Sequence, residues 1–262
     1  NAQDPHYLTA GNFPVSQWIL PLFDGLTVAQ VVAVERTAWW LHITGILLFL
    51  NYLYYSKHLH IILAFPNTWF AKLAPQGQFT NMQAVTDEVK LMLDPNADPY
   101  AAPASDVAPS TFGAADVADL NWVQLMNAYS CTECGRCTAE CPASQTGKKL
   151  SPRKIMMDTR DRLTEVGAAL NKGEQPNANT LLDNYISREE LWACTSCNAC
   201  VEACPIAIDP LSIITDMRRY LVMEQSAAPT ELNNMMSNVE NNGAPWPFNQ
   251  QDRIAWREEI NI

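Results

Sequence analysis

The eight cysteines of this 262-residue chain lie in two groups of four that share one spacing. The first group is CTECGRCTAECP and the second is CTSCNACVEACP, so both read C-x2-C-x2-C-x3-C-P. A disulfide framework usually spreads its cysteines so that they close loops, whereas tight clustering is typical of metal ligands. The cysteines are Cys131, Cys134, Cys137 and Cys141 in the first group and Cys194, Cys197, Cys200 and Cys204 in the second.

The spacing within each group favours iron–sulfur clusters, and a zinc ribbon is the alternative. Zinc typically takes C-x2-C pairs from two separated segments and needs neither the third cysteine nor the proline. In two-cluster ferredoxins such a run gives three thiolates to one [4Fe–4S] cluster and its fourth to the other. This crossed pattern predicts one cluster held by Cys131, Cys134, Cys137 and Cys204 and a second held by Cys194, Cys197, Cys200 and Cys141.

The sequence around the cysteines predicts helices. Residues 151–170 and 209–223 each begin with an N-cap residue followed by proline, and residues 187–192, SREELW, begin with a capping box. No convincing strand run occurs after residue 121, and the 52 residues between the two groups are too many for a minimal bacterial ferredoxin. We therefore expect a mainly α fold with an all-helical ferredoxin-type domain over residues 122–225.

A second feature is the uncharged, largely apolar stretch of 20 residues from Thr37 to Ser56. Its length suits a membrane-spanning helix, and a buried helix of a soluble protein is the alternative. His42 and His60 are 18 residues apart, which on one continuous helix is five turns and about 27 Å. Both imidazoles would then face the same side, with one near each face of a bilayer.

Composition divides the chain into five segments. The net charge of −11 argues against nucleic acid as a partner. Many of the acidic residues fall in an Ala- and Pro-rich stretch that reads as a linker. The segments are an irregular start with the beginning of a helix (1–36), the transmembrane helix (37–66), the acidic linker (67–121), the cluster domain (122–225) and a partner-binding arm (226–262).

At its cysteine motifs the chain resembles the C-type subunits of heterodisulfide reductase and their relatives. The resemblance covers roughly residues 120–225, and LWACTSCNACVEACP is especially similar. The same helical dicluster module occurs in iron–sulfur subunits of succinate dehydrogenase and fumarate reductase. The resemblance implies an electron-transfer subunit with no catalytic site of its own, whose partner is a CCG-domain protein on a separate polypeptide.

The stretch LHITGILLFLNYLYYSKHLH, followed by AFPN, resembles the last membrane helix of the nitrate reductase gamma subunit family. That resemblance implies that His42 and His60 are axial ligands to two b haems, and His58 is the weaker candidate. Each haem needs a second imidazole, so either earlier membrane helices are missing from this chain or another subunit supplies the ligands. The alternative is that both histidines pack or lie at the membrane interface.

Three functions are open at this stage. The first is a membrane-anchored electron-transfer subunit of a heterodisulfide-reductase-like complex in a bacterial or archaeal cytoplasmic membrane, with its clusters facing the cytoplasm. The second is the iron–sulfur subunit of a respiratory dehydrogenase that passes electrons from a flavoprotein to quinone. The third is a non-redox protein in which the clusters only stabilise the fold.

Overall fold

The computed structural model describes residues 14–56, 58–75, 77–95 and 111–260, and it divides into two units, Asn1–Leu59 and His60–Ile262. Among the described residues there is no strand, only an isolated bridge between Leu182 and Ile186. The mainly α fold predicted from the sequence is confirmed. The helices are α1 Val28–Leu53, α2 Leu59–Trp69, α3 Gln83–Leu93, α4 Trp122–Ser130, α5 Arg136–Ala139, α6 Pro142–Gln145, α7 Pro152–Asn171, α8 Arg188–Ala193, α9 Ala199–Glu202, α10 Pro210–Met223, α11 Thr230–Asn242 and α12 Ala255–Ile260.

The first unit consists chiefly of α1. This helix begins with a capping box in which the Gln30 amide donates to Thr27 Oγ1 and the Thr27 amide donates to Gln30 Oε1. In the described part of the chain, α1 is the one helix long and apolar enough to cross a membrane, and none of its most apolar 18-residue window is buried. Its apolar surface is therefore open to lipid or to a protein partner.

The helix predicted over residues 37–66 is broken in two. The helix α1 ends at Leu53, and α2 begins at Leu59. Between them, Ser56 Oγ donates to the Leu53 carbonyl at 3.0 Å and accepts from the His58 amide at 3.2 Å. The Ser56 hydroxyl thus competes for backbone groups that a continuous helix would pair. Because His42 lies on α1 and His60 on α2, the five-turn argument for a shared face does not hold.

The second unit contains the hydrophobic core. The helix α7 packs against α4 and α10, and α10 also packs against α8 and α9. The predicted helix starts are confirmed, because Ser151, Ser187 and Asp209 each accept a hydrogen bond from a first-turn amide of α7, α8 and α10. The most fully buried apolar side chains include Ile155, Met156, Leu191, Ile213, Ile214, Met217 and Leu221.

The predicted linker contains structured segments. Its middle forms α3, and residues 111–121 pack along α10, where the Ala114 amide donates to the Asp216 carbonyl at 3.0 Å. Residues 96–110 of the linker, and residues 1–13 of the predicted irregular start, lie outside the described residues. In the C-terminal segment, which contains α11 and α12, the side chains of Trp246, Phe248 and Trp256 are exposed. The role of this segment as a partner-binding arm stays a prediction.

Candidate metal centre

The two cysteine groups adopt the same backbone path. Cys131 and Cys194 follow the last residues of α4 and α8, and the chain then enters a short helix, α5 or α9. In both loops the second and fourth residues after the first cysteine have positive φ: Glu133 and Gly135 in one, Ser196 and Asn198 in the other. Left-handed backbone at non-glycine residues is uncommon and concentrates at functional sites. The repeat of both positions indicates that the loops are shaped for the same ligand.

The cysteines line two neighbouring cavities in the crossed combination. One cavity, of about 250 Å³, is lined by Cys131, Cys134, Cys137 and Cys204, and a smaller one is lined by Cys141, Cys194 and Cys197. Cys200 borders both cavities. The fourth cysteine of each motif thus lines the same cavity as the first three of the other motif, and the assignment of these cysteines as cluster ligands stays a prediction.

Each cavity is otherwise enclosed mainly by apolar residues, as a buried cluster site requires. Met156, Ile206 and Ile208 line the larger cavity, whereas Leu150 and Ile214 line the smaller one. Within the described residues no three His, Cys, Asp or Glu side chains converge closely enough to share a single metal ion.

The pKa values of the thiols follow the same grouping. Burial raises the pKa of Cys131, and the neighbouring Cys204 and Cys134 raise it further. Burial also raises the pKa of Cys194, where the thiols that add to the effect are Cys141 and Cys197. For these two cysteines, the thiols that raise the pKa belong to the same crossed set, since like charges at short distance disfavour each other's ionisation.

Cys200 is the most strongly shifted thiol, with a pKa that burial raises to about 12. Its charged neighbours include Cys194, Asp209 and Cys137, so it is influenced from both cavities. A thiol in such a site ionises readily only when a cation compensates its charge, because the thiolate is the metal-binding form. The donor set, eight free thiols in two enclosed sets of four, therefore fits two thiolate-ligated clusters.

Backbone amides contact the first thiol of each motif. The Ser196 amide donates to Cys194 Sγ at 3.4 Å, and the Glu133 amide lowers the pKa of Cys131 through the equivalent hydrogen bond. The left-handed residues Glu133 and Ser196 are the ones that turn these amides toward sulfur. Hydrogen bonds to cluster sulfurs are among the factors that set a cluster's reduction potential.

Arg136 and Arg153 line the larger cavity, and sequence reasoning missed two further arginines, each of which lowers the pKa of a thiol. Arg160 on α7 lowers the pKa of Cys131 and pairs with Glu133 at 2.6 Å. Arg218 on α10 lowers the pKa of Cys194. Both arginines lie outside the cysteine motifs. The only sequence feature that marked Arg218 is that it stands next to Arg219 in MRRY.

The two predicted histidines lie in different settings. His42 is on the exposed helix α1. His60 and Ala64, on α2, line the larger cavity together with the cysteines of the first set. In the same unit, Asn67 of α2 is buried and its Nδ2 donates to the Ile206 carbonyl at 2.8 Å, two residues after Cys204. The structure therefore places α2 against the site rather than in the apolar helix to which the sequence assigned it.

Comparison with known protein families agrees with the cavity geometry. Residues 130–208, which contain all eight cysteines, match the family described as 4Fe-4S dicluster domain. This chain contains a 4Fe-4S dicluster domain. The dicluster domain extends from the last residue of α4 to Ile208, two residues before α10, so it includes both cysteine loops, whereas part of each cavity wall comes from residues outside it.

Several named proteins resemble the chain beyond the dicluster domain. The probable iron-sulfur-binding oxidoreductase FadF of Bacillus subtilis is 31% identical over 94% of this chain, and EtfAB:quinone oxidoreductase of Syntrophomonas wolfei is 29% identical over 94%. The chain spans only 36% and 34% of these relatives' own lengths. A probable membrane-anchored ferredoxin of Chromohalobacter salexigens is also similar.

The predicted resemblance to heterodisulfide reductase is confirmed. The C-type subunit of a ferredoxin/F(420)H(2)-dependent CoB-CoM heterodisulfide reductase from Methanosarcina acetivorans is 32% identical over 40% of this chain and 52% of its own length. The D-type subunits of heterodisulfide reductases are similar as well. The resemblance of residues 41–60 to nitrate reductase gamma subunits stays a prediction.

Proposed function

We propose that this chain is an electron-transfer subunit that relays electrons through two [4Fe–4S] clusters. The observation that supports the proposal is the crossed arrangement of the cysteines around two cavities that share Cys200 as a wall. The helices α5 and α9, which carry Cys137 and Cys200, pack against each other. Two redox centres that lie this near to each other can exchange electrons without a mobile carrier.

The chain's own residues would hold and insulate the clusters. Cys131, Cys134, Cys137 and Cys204 would hold the first cluster and Cys194, Cys197, Cys200 and Cys141 the second. When bound, each cluster supplies a site that accepts and releases one electron. The enclosing apolar side chains keep water from the sulfurs, while exposed Cys134 and Cys197 mark the points where electrons enter and leave.

Spectroscopy of the anaerobically prepared chain tests this relay. Dithionite should reduce both clusters and give two EPR signals that broaden each other, because adjacent paramagnets couple. Fully retained clusters whose spectrum does not change on reduction would contradict the relay and favour a structural role for the clusters.

We further propose that the chain belongs to a membrane-bound, heterodisulfide-reductase-like complex with a CCG-domain partner. The exposed apolar helix α1 and the similarity to a probable membrane-anchored ferredoxin support membrane association. Cytoplasmic exposure of the clusters, in a bacterial or archaeal cytoplasmic membrane, is part of the same proposal. A reporter fused after Ile262 that is active only outside the cytoplasm would contradict that orientation.

Haem b remains part of the proposal, with His42 and His60 as ligands and the second imidazoles supplied by other membrane helices. His60 also lines the larger cavity, so the haem that it would hold is the one nearer the clusters. In the intact complex, His42→Ala should remove a b-type absorbance that His58→Ala leaves unchanged. A complex without b-type absorbance would contradict haem ligation and leave α1 as an anchor only.

A second candidate function is the iron–sulfur subunit of a flavoprotein respiratory dehydrogenase that donates to quinone. The relative named EtfAB:quinone oxidoreductase, similar over 94% of this chain, favours quinone as the acceptor. Quinone reduction by a purified complex that contains a flavoprotein and no CCG-domain subunit would favour this function. A CCG-domain protein that co-purifies with the chain would favour the first.

A further inference from the structure

One cation is built into the loop that surrounds the second cluster set. The Arg218 guanidinium donates from Nε to the Leu191 carbonyl at 3.0 Å and from Nη2 to the Cys194 carbonyl at 2.5 Å. Its Nη1 lies 3.3 Å from Ser196 Oγ. On another side, Arg218 Cζ lies 5.0 Å from the centre of the Trp192 ring. The guanidinium therefore fills the inside of the turn that begins at the ligand Cys194.

The groups that hold Arg218 are neutral. Its hydrogen-bond acceptors among the described residues are backbone carbonyls and a hydroxyl. Burial lowers the pKa of Arg218, but a guanidinium stays protonated in proteins. The corresponding arginine at the first set, Arg160, is instead paired with the Glu133 carboxylate at 2.6 Å. Among the described residues Arg218 has no carboxylate partner, so no ion pair neutralises its charge; Arg136 and Arg153, which line the larger cavity at the first set, have no carboxylate partner either.

We propose that Arg218 is a positioning residue that raises the reduction potential of the cluster held by Cys194, Cys197, Cys200 and Cys141. Reduction adds one electron to a thiolate-ligated cluster that is already negative, so a nearby cation stabilises the reduced form. The net charge around a cluster and the hydrogen bonds to its sulfurs set its potential. A half-buried charge acts through a lower effective dielectric than an exposed one. The inference rests on the two clusters of the proposed function. It adds that Arg218 makes the second cluster easier to reduce than the same cluster without this cation.

An EPR-monitored redox titration of Arg218→Gln tests the proposal. At a fixed solution potential, the ratio of reduced to oxidised second cluster should fall about tenfold, the change that ~59 mV gives for a one-electron couple. The first cluster should keep its potential. Arg219→Gln is the matched control: Arg219 is the next residue of α10 and pairs with Asp216 at 2.9 Å, so its loss should leave both potentials unchanged.

Two further variants separate charge from structure. Arg218→Lys keeps the charge but loses the planar fork, so its potential should lie closer to that of the wild type than the Gln variant does. Ser196→Asp places a carboxylate beside Arg218, and Ser196→Asn is its uncharged match that also tolerates the positive φ. The Asp variant should have the lower potential, because its carboxylate would offset the Arg218 charge beside Cys194.

Iron content is measured before each titration. Loss of both clusters from the wild-type chain would contradict the proposed function itself. An unchanged second-cluster potential in an iron-replete Arg218→Gln variant would contradict only the role of Arg218. Equal falls in the Gln and Lys variants, or equal potentials in the Ser196→Asp and Ser196→Asn variants, would also overturn the proposal.

Discussion

At the scale of single residues, Arg162 of α7 holds the segment before the first cysteine group in place. Its side chain is 2% exposed and donates to both carboxylate oxygens of Asp116, at 3.0 and 2.7 Å. Glu165 and Asn177 also accept hydrogen bonds from it, and Asp116 accepts one from the Leu181 amide. The pair therefore ties α7 to the segments on both sides of it.

Arg162→Met should lower the free energy of unfolding by about 3–5 kcal/mol, because it leaves the largely buried Asp116 carboxylate without its cation. The measurement is urea unfolding of the cluster-loaded protein under anaerobic conditions. Arg188→Met is the matched control, since Arg188 is 43% exposed and its pair with Asp183 should contribute about 1 kcal/mol or less. Equal losses in the two variants would contradict this account of Arg162.

Gly113 is the residue at which the chain comes closest to α10. A Cβ at this position would lie 2.2 Å from the Asp216 carbonyl oxygen and 2.5 Å from the Tyr220 amide nitrogen, and its φ is +80°. Gly147 has a similar φ of +77° but open space around it. Gly147→Ala should therefore cost only the backbone strain of about 1–2 kcal/mol. Gly113→Ala should lower the free energy of unfolding by clearly more than Gly147→Ala does, because α10 has to move to make room for the methyl group. Equal thermal unfolding midpoints for the two variants would contradict the close contact.

The same residues show where sequence reasoning reached its limit. The eight cysteines were found because iron–sulfur motifs are local and their spacing is specific. Arg218, Arg160 and Arg162 were not found, because each has a partner that only the tertiary fold brings near: Cys194 lies 24 positions from Arg218, Glu133 lies 27 from Arg160 and Asp116 lies 46 from Arg162. A buried arginine and a solvated one look alike in a sequence when neither belongs to a motif.

At the scale of elements, helix starts were predictable and the break after α1 was not. Ser151, Ser187 and Asp209 cap α7, α8 and α10 as predicted, because capping depends on residues one turn apart. The apolar pattern continues through YLYYSKHLH, so periodicity alone gave no signal for an end at Leu53. The packing of α2 against the cluster cavity is likewise a tertiary contact that hydropathy cannot indicate.

The start of α8 gives a prediction that depends on pH. Burial tends to raise the pKa of Glu190, but hydrogen bonds from Ser187 and Lys154 outweigh it and hold the pKa below its usual value. The carboxylate is 4% exposed and accepts from the Ser187 amide at 2.8 Å. Because the folded pKa is the lower one, this stabilisation is complete above the unfolded value of about 4.3 and is lost as the pH falls through the folded pKa.

Glu190→Gln should therefore lower the free energy of unfolding by about 1.5–3 kcal/mol at pH 7, and the difference from the wild type should shrink only as the pH falls below about 4.3. Denaturant midpoints followed by far-UV circular dichroism measure this difference. Glu189→Gln, in the same turn, is the control, because Glu189 is 68% exposed and pairs with the exposed Lys149. A Glu190→Gln penalty that is constant with pH would contradict the role assigned to the carboxylate.

At the scale of the whole molecule, the central claim is that two clusters are held by exchanged cysteines. Exchange makes each cluster depend on both motifs, which explains why residues 130–208 form a single domain although the motifs are 52 residues apart. The enclosing core of α4, α7, α8 and α10 keeps both motifs in place. The structure supports this pairing through the cavities and the coupled thiol pKa values.

Iron content of paired cysteine variants tests the exchange most directly. In the crossed arrangement Cys134 and Cys204 serve one cluster, so Cys134→Ala with Cys204→Ala should retain about four irons of the about eight that two [4Fe–4S] clusters contain. Cys134 and Cys141 serve different clusters, so Cys134→Ala with Cys141→Ala should lose nearly all iron. The opposite result, with iron kept in the second pair and lost in the first, would contradict the account, as would stoichiometric zinc in the wild-type chain.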